Sequence, residues 1–482
     1  LGLGVVFFLL TFIVPPPEGM TPAGWRVCGL ALWMATWWIT EAVSLPVTAL
    51  LPLTVMPLGG LMSFRKVAAN FSADLIFLFL GGFVLSIAIQ KWRVHERLGL
   101  GLLRHVSSSA PKLLGGLILV TGFLGMWMSN AATAMVMMPM ALSIAALVNR
   151  EGEGNPALAK ALVFAVAYAP CIGGLSTFIG TPTNAVLNGY LTKTYNVHLS
   201  LAEWMSFGVP IAVILLLACW ALLYFSLLRG SPALPGLGAV MHREYAQLGA
   251  FSAGEKATTG VFALCVTAWV LSDFWENLLG VPFDDAVIAL VGALLLFLIP
   301  LDRKFDRTVL TWSDTVKLPW GILLFFGGSL SLAAALSDTG VTTWLSQEMT
   351  ILHHVPVWLV AIAVVALVVI LSEMMSNSAT VLAVLPILTG LAGGLGINPL
   401  LLMIPATMAA SCAFMMPGAS PTNAIAYATG ALKVPDMVRL GLRINLLCAT
   451  VILLAAFYFV PKMLKFDPFT PPAWSLTPTP GK

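Results

Sequence analysis

The chain has 482 residues, of which 59% are hydrophobic and only 9% are charged, and its formal net charge is +3. Soluble globular proteins carry about 25% charged residues, so this composition excludes a soluble fold. Continuously apolar runs such as 357–371 exclude a membrane β-barrel, whose strands alternate apolar and polar residues. The chain is therefore predicted to be an all-α polytopic membrane protein, and its small net charge gives no indication of nucleic-acid binding.

Apolar segments bounded by charged residues, proline or glycine predict about 11 transmembrane helices, because one crossing of the membrane needs about 20 residues. The predicted spans are 1–14, 25–43, 45–61, 75–90, 160–190, 203–228, 258–278, 283–300, 318–336, 399–430 and 437–461. Residues 91–104 predict an amphipathic helix on the cytoplasmic surface of the membrane.

Two further apolar segments, 112–148 and 355–395, are each interrupted near the middle by a Ser-Asn pair. Each segment could form two tight crossings or a re-entrant hairpin whose irregular tip is buried in protein. A tip that contains asparagine but no charged loop is a poor solvent-exposed turn. We therefore expect two re-entrant hairpins in addition to the spans.

Four short polar motifs follow the same order in the two halves of the chain. Ser129–Thr133 precedes Thr181–Ala185 in the first half, and Ser376–Thr380 precedes Ser420–Ala424 in the second. Helix-breaking polar residues at corresponding places in two halves are the best sequence indication of a transporter's binding site.

The repeat extends beyond these motifs. A Phe-Leu-Gly-Gly sequence ends at Gly82 and a Phe-Phe-Gly-Gly sequence ends at Gly328, which lie 47 and 48 residues before Ser129 and Ser376. Counting membrane crossings from one Gly-Gly helix to the other gives an odd number, so the two helices are expected to cross the membrane in opposite directions. The sequence therefore predicts two inverted repeats.

The repeats give a predicted domain division and orientation. The segments are a first transmembrane helix with its outer loop at 1–24, repeat 1 at 25–228, a cytoplasmic linker at 229–257, repeat 2 at 258–465 and a C-terminal tail at 466–482. Scaffold helices are expected up to about residue 110 and, in repeat 2, about residue 353, followed by a hairpin and a broken helix. A cytoplasmic N-terminus places 17 of the 24 basic residues, including Arg303 and Lys304, inside, as the positive-inside rule requires. The predicted location is a bacterial inner (plasma) membrane with the C-terminus outside.

The polar motifs carry groups that suit both an anion and sodium. A Ser-Asn pair offers hydroxyl and amide donors for a carboxylate, and an amide carbonyl oxygen for Na⁺. Gly180-Thr181-Pro182 and Ala419-Ser420-Pro421 break a helix, which frees a carbonyl group and creates a helix N-terminus that attracts an anion. Although small polar residues in membrane helices commonly serve packing, matched pairs in both halves favour a binding site.

Other residues give weaker indications. Glu373 lies three residues before the second Ser-Asn pair, where the first half has Met126. The sequence leaves open whether this intramembrane carboxylate joins a polar network or couples transport. The six cysteines occur singly, without disulfide or zinc-ligand spacing, and no phosphate-binding loop, HExxH motif or catalytic triad is present. We therefore expect no enzyme activity.

Further motifs lie at Thr40–Pro46 (TEAVSLP), Leu78–Phe83 (LFLGGF), and Ser411–Pro417 (SCAFMMP), which leads to Pro421–Asn423. With the two Ser-Asn motifs, they make nearly the whole chain resemble the divalent anion:sodium symporter family, the di- and tricarboxylate transporters. The resemblance implies a homodimer whose interface is formed by a scaffold region with both Gly-Gly helices. It also implies an elevator mechanism, in which hairpins and broken helices move as one transport region.

The same resemblance implies the site residues. Substrate carboxylates would contact Ser129, Asn130, Ala131, Thr181, Pro182, Ser376, Asn377, Ser378, Ser420 and Pro421. One sodium ion would be held by Gly125, Met128, Asn130 and Gly180, and the other by Ser372, Met375, Asn377 and Ala419. The family usually has Ser-Asn-Thr at both tips, whereas this chain has Ala131 and Ser378 in the third position. Gly418 stands where an aliphatic residue is more usual, and these departures bear on the substrate.

The sequence favours sodium-coupled import of C4-dicarboxylates such as succinate, malate or fumarate. The alternative on the same fold is sodium-independent anion exchange, or transport of citrate, tartrate or sulfate. A membrane-embedded enzyme is a third hypothesis, but it lacks paired carboxylates or a metal-ligand cluster. The expected partners are a small dicarboxylate anion, Na⁺, the lipid bilayer and a second copy of the chain, with no nucleic acid.

Overall fold

The computed structural model describes residues 1–40, 42–106, 109–150, 156–229, 237–280, 284–302 and 306–476. Within these ranges the chain is helical, and an isolated β-bridge between Pro300 and Thr308 belongs to no strand. Glu41, Arg303, Lys304, linker residues 230–236 and tail residues 477–482 lie outside the described residues.

The α-helices are Gly2–Ile13, Pro22–Thr40, Leu45–Thr48, Leu51–Leu58, Phe64–Ala69, Asp74–Lys91, Val94–Val106, Ala110–Gly125, Asn130–Arg150, Pro156–Gly174, Pro182–Tyr195, Leu201–Leu223, Leu237–Gln247, Ala253–Val270, Ser272–Leu279, Asp285–Leu298, Trp320–Asp338, Val341–Glu348, Val357–Met374, Asn377–Leu395, Leu400–Ala410, Pro421–Ala428, Val434–Tyr458, Val460–Met463 and Ala473–Leu476. Short 3₁₀ helices lie at Asn70–Ser72, Trp312–Lys317 and Met349–His354, and a π-helix lies at Tyr224–Leu228.

Each predicted span coincides with one or two of these helices, so the all-helical membrane fold is confirmed in outline. In the described part of the chain, the helices long and apolar enough to cross a membrane are Phe64–Lys91, Pro156–Gly174, Leu201–Leu228, Trp320–Asp338, Val357–Met374, Asn377–Leu395 and Val434–Met463. The number of crossings stays a prediction, because several other apolar helices are shorter than a full span.

Two spans predicted as single helices are each divided in two. The span 45–61 consists of Leu45–Thr48 and Leu51–Leu58. The division follows from Pro52, which has no N–H to donate to the carbonyl of Thr48 and whose ring would clash with that carbonyl. The span 258–278 is similarly divided at Leu271, where Ala253–Val270 gives way to Ser272–Leu279.

The predicted amphipathic helix begins at Val94 rather than at residue 91, because the preceding helix continues through Lys91. Arg93, in the left-handed region with φ of 52°, separates the two helices. The side chain of Arg97 is buried and donates to Glu255 at 2.6 Å and to the carbonyl of Gly249 at 3.1 Å. The helix Val94–Val106 is therefore bonded to the end of the linker between the two halves.

The two Gly-Gly helices, Asp74–Lys91 and Trp320–Asp338, pack against each other through Phe79 and Phe326, whose ring centroids are 4.8 Å apart. A Cβ atom added at Gly81 would overlap the backbone of Ala289, and one added at Gly328 would overlap that of Ala49. Each glycine therefore permits its helix to approach a segment from the other half of the chain closely.

Candidate functional site

The four polar motifs coincide with four interruptions between helices. Tip 1, residues 126–129, joins the two helices of the first hairpin, and tip 2, residues 375–376, joins those of the second. Break 1, residues 175–181, and break 2, residues 411–420, each interrupt a broken helix. The helix breaks predicted from the Thr-Pro and Ser-Pro motifs are thus present, while the re-entrant insertion of the hairpins stays a prediction.

Serine hydroxyls cap the helices that leave three of these interruptions. The hydroxyl oxygens of Ser129, Ser376 and Ser420 accept hydrogen bonds from the backbone N–H groups of Ala132, Ala379 and Asn423, at 3.4, 3.3 and 3.3 Å. Such caps fix the start of a helix and hold its first N–H groups at the interruption. The helix geometry therefore directs N–H groups and positive dipole ends toward both tips.

Exposure separates the tips from the breaks. The Ser-Asn residues of both tips, together with Ala131 and Ser378, are half-buried, whereas Thr181 and Ser420 are buried. The predicted contact residues of the tips therefore keep part of their surface free of protein contacts. The hydroxyls of the breaks bond to other protein groups.

In the first half, the structure brings three of the four predicted sodium ligands together. The Asn130 amide lies against the carbonyl oxygens of Pro170 and Gly180, and its nitrogen donates to them at 3.0 and 3.3 Å in the orientation that satisfies its hydrogen bonding. A Cβ atom added at Gly180 would meet the carbonyl of Gly125. Met128 is buried in the same tip. Backbone carbonyls thus surround the Asn130 side chain.

In the second half, the predicted sodium ligands are less closely connected. The amide oxygen of Asn377 is buried and has no protein donor among the residues that the structure describes. The hydroxyl of Ser372 is buried and donates to the carbonyl of Val369 at 3.0 Å. Within the described ranges, no hydrogen bond joins Met375 or Asn377 to Ala419. The second sodium set therefore stays a prediction.

Each tip is tied to its break by a different group. Thr177 donates its hydroxyl proton to the carbonyl of Met126 at 2.5 Å, and the same hydroxyl oxygen accepts from the N–H of Gly180 at 3.0 Å. In the second half, the Glu373 carboxylate accepts from the N–H groups of Met415 and Met416, both at 2.9 Å.

Asn445 supplies a third donor to Glu373, at 2.8 Å. All three partners of Glu373 are donors, and its two carboxyl oxygens are the acceptors. The structure therefore places Glu373 in a polar network, one of the two roles that the sequence left open. Its partners were not predictable, since they lie 42 to 72 residues away along the chain.

The two breaks also contact each other. The hydroxyl of Ser411 lies 2.7 Å from that of Thr183 and 3.3 Å from that of Thr181. On the other side, the hydroxyl of Thr422 lies 3.5 Å from the sulfur of Cys171. Sequence reasoning missed the roles of Thr183 and Thr422, although both stand in the Pro-Thr-Asn motifs.

Charge is nearly absent from these interruptions. Across the residues that the structure describes, the hydrogen bonds of the tips and breaks involve one charged side chain, Glu373. No group of three or more His, Cys, Asp or Glu side chains suited to a metal ion occurs in the described ranges. An anion here would be held by N–H groups and hydroxyls, and a cation by neutral oxygen atoms.

Sequence comparison matches nearly the whole chain. The family model described as the sodium:sulfate symporter transmembrane region matches residues 1–464. The sodium-dependent dicarboxylate transporter SdcS of Staphylococcus saprophyticus is 37% identical over 477 residues, covering 96% of this chain and 92% of that protein. SdcS of Staphylococcus aureus is also 37% identical, covering 96% of this chain and 91% of that protein.

Solved structures with the same overall fold are more distant in sequence. Neisseria gonorrhoeae MtrF, described as representing a class of antimetabolite efflux pumps, matches with a TM-score of 0.59 at 11% identity, over 97% of this chain and 95% of that chain. The Alcanivorax borkumensis YdaH transporter matches with a TM-score of 0.54 at 14% identity, over 82% of this chain and 87% of that chain. These two similarities concern the fold alone.

Proposed function

The chain belongs to the sodium:sulfate symporter family, and from this premise we propose that it imports C4-dicarboxylates such as succinate, malate or fumarate by sodium-coupled secondary transport. Family membership makes it a membrane transporter and not an enzyme. The names of the 37% identical relatives support both sodium and a dicarboxylate as the transported species.

The observation that carries the sodium coupling is the surroundings of Asn130. Its amide lies against the carbonyls of Pro170 and Gly180, with Gly125 beside them. With the amide oxygen turned toward these carbonyls, the group would form a set of neutral oxygen atoms, the ligand type that a hard cation such as Na⁺ binds. The first sodium ion is thus assigned to Gly125, Met128, Asn130 and Gly180.

The second sodium ion is assigned to the matched residues of the other half, Ser372, Met375, Asn377 and Ala419. The buried amide oxygen of Asn377, which lacks a donor in the described part of the chain, supports this assignment. The two tips, with Ser129, Asn130, Ala131 and their counterparts Ser376, Asn377 and Ser378, would hold the carboxylates of one dianion. Thr181, Pro182, Ser420 and Pro421 would border it.

The proposal extends to movement and assembly. The halves 25–228 and 258–465 would be inverted repeats, each with scaffold helices followed by a hairpin and a broken helix. Hairpins and broken helices would move as an elevator against the scaffold of a homodimer. The N-terminus would lie in the cytoplasm of a bacterial cell and the C-terminus outside.

Electrostatics favours symport over exchange. A dianion that enters a negative-inside cell moves against the potential at about 2.3 kcal/mol per charge per 100 mV. With no basic side chain among the described hydrogen bonds of the tips and breaks, the compensating charge must arrive with the substrate. More than two sodium ions per dianion would make import electrogenic.

The test is uptake by proteoliposomes that contain the purified protein. Radiolabelled succinate, malate, fumarate, citrate, tartrate and sulfate are compared with an inward gradient of sodium and with choline in its place. We expect sodium-dependent uptake of the C4-dicarboxylates above the other anions. A preference for sulfate or citrate would overturn the substrate assignment, and uptake independent of sodium would overturn the coupling.

A further inference from the structure

Two asparagines outside the predicted site hold the unwound parts of the broken helices. The side-chain nitrogen of Asn184 donates to the carbonyls of Gly174 and Leu175, both at 3.2 Å, and to that of Thr177 at 2.8 Å. The corresponding Asn423 donates to the carbonyls of Ala413 and Met416, both at 3.0 Å. Both asparagines are completely buried.

The geometry is the same in the two halves. In each, the acceptors include the carbonyls seven and ten residues upstream of the asparagine, namely Thr177 in break 1 and Gly174 at the end of the preceding helix, and Met416 and Ala413 in break 2. Neither amide oxygen has a protein donor among the described residues. The hydrogen bonding of both side chains is therefore directed at the break through the nitrogen.

This bonding determines which carbonyls stay free. A helix interruption deprives several carbonyls of their N–H partners, and each could bind a cation or another donor. Asn184 occupies three of them but not the carbonyl of Gly180, which lies against the Asn130 amide and stays available to that side chain or to an ion. A neutral donor suits this task, since it satisfies carbonyls without bringing a charge beside the cation.

In the second half, an asparagine likewise binds some carbonyls of the break, and an acidic side chain binds N–H groups in addition. Asn423 takes the carbonyls of Ala413 and Met416, and Glu373 takes the N–H groups of Met415 and Met416. The carbonyl of Ala419, assigned above to the second sodium ion, lies three residues beyond these anchored positions. Both breaks thus have an anchored part and a part assigned to sodium.

We infer that Asn184 and Asn423 are positioning residues for sodium: each anchors the upstream carbonyls of its break, so that the carbonyls of Gly180 and Ala419 are presented to the ion. The inference rests on the proposed sodium coupling. It assigns to these asparagines a role in sodium affinity, distinct from contact with the dicarboxylate.

The experiment uses Asn184→Leu, which keeps the size of the side chain and removes its donors. Asn188→Leu is the matched control: Asn188 lies one turn further along the same helix, is equally buried, and bonds the backbone of Leu199 at 2.9 Å instead of a break. Sodium half-saturation is measured in two ways. One is the sodium-induced rise in Tm of the detergent-purified protein against choline, and the other is the initial rate of succinate uptake.

Asn184→Leu is expected to raise both sodium half-saturation values about tenfold, the change produced by losing a hydrogen-bond contribution of ordinary size. The succinate half-saturation at saturating sodium is expected to change by less than about twofold, because the dicarboxylate does not contact this residue. Asn188→Leu is expected to lower the Tm while leaving sodium half-saturation within about twofold of the wild type.

Asn423→Leu and the smaller change Asn184→Ser, which keeps one donor, are measured alongside so that a poorly folding variant does not end the test. Folded variants with wild-type sodium half-saturation, or an equal rise in Asn188→Leu, would overturn the inference while leaving sodium coupling in place. If the Tm and the succinate uptake of the wild-type protein do not change with sodium, both the proposed coupling and this inference are overturned.

Discussion

The two halves of the candidate site tie tip to break at matched positions, but with opposite groups. In the first half, the tip offers the carbonyl of Met126 to a hydroxyl of the break, that of Thr177. In the second, the tip's hairpin offers the Glu373 carboxylate to two N–H groups of the break, those of Met415 and Met416. Both halves have a contact between tip and break at matched positions, whereas the groups that form this contact differ between the halves.

This difference places a single acidic side chain on one side of a duplicated site. Glu373 accepts three hydrogen bonds whereas the Thr177 hydroxyl makes two, and each contributes about 1 kcal/mol. Through Asn445, Glu373 also fastens the second hairpin to the helix Val434–Tyr458. The second hairpin should therefore be held to its break more strongly than the first.

The largest effects are expected where the halves are alike. Asn130→Ala and Asn377→Ala should each reduce uptake about 100-fold, because each removes an amide that serves both the anion and a sodium ion. Initial rates of succinate uptake measure this loss, and size-exclusion chromatography checks that the variants still fold and elute as the wild type does. Uptake within about twofold of wild type for either variant would remove the site assignment.

The next largest effect is a loss of stability on removing the hydrogen bonds of Glu373. Glu373→Ala should destabilise the protein by about 3 kcal/mol or more, since it leaves two backbone N–H groups and the Asn445 amide without their acceptor. Glu373→Gln, which keeps one acceptor oxygen, should lie between Ala and wild type. The Tm of the purified protein measures both, with Glu348→Ala as an exposed control that should change little. A Tm equal to that of the control would show that the network does not hold the hairpin.

A smaller loss of stability is expected from removing the hydrogen bonds of Thr177 between tip 1 and break 1. Thr177→Val removes one donor to Met126 and one acceptor for Gly180, which should lower stability by about 1–2 kcal/mol. The control is Thr36→Val, whose hydroxyl makes an exposed hydrogen bond to the carbonyl of Leu32 within its own helix. A larger drop in Tm for Thr177→Val than for Glu373→Ala would reverse the comparison between the halves.

The smallest expected effect concerns the third residue of each tip. Ser378 has a hydroxyl where Ala131 has none, so Ser378→Ala should weaken succinate half-saturation about two- to tenfold, the value of one hydrogen bond. Ala131→Thr should strengthen it or leave it unchanged. Unchanged half-saturation in Ser378→Ala would mean that this hydroxyl does not contact the anion.

What the sequence predicts correctly here is local. The positions of the four interruptions follow from Thr-Pro, Ser-Pro and Ser-Asn, because Ser, Thr and Asn favour helix caps and a proline after them suits the first turn of a new helix. The split at Pro52 follows the same rule, and the prediction of one helix over 45–61 overlooked it.

The remaining features depend on packing. Thr177 contacts Met126 across 51 residues and Glu373 contacts Met415 across 42, and no periodicity encodes those distances. Asn184 stands in its motif, but its acceptors lie at the helix end and in the following unwound segment, whose path only the folded chain determines.

The central claim, that sodium carries the charge of the dianion through two matched half-sites, is tested most directly by succinate uptake into proteoliposomes under controlled sodium and voltage. Uptake should rise steeply with external sodium and increase further when a potassium gradient with valinomycin makes the interior negative. Undiminished uptake in sodium-free buffer, driven by internal dicarboxylate and insensitive to voltage, would contradict the account and establish exchange instead.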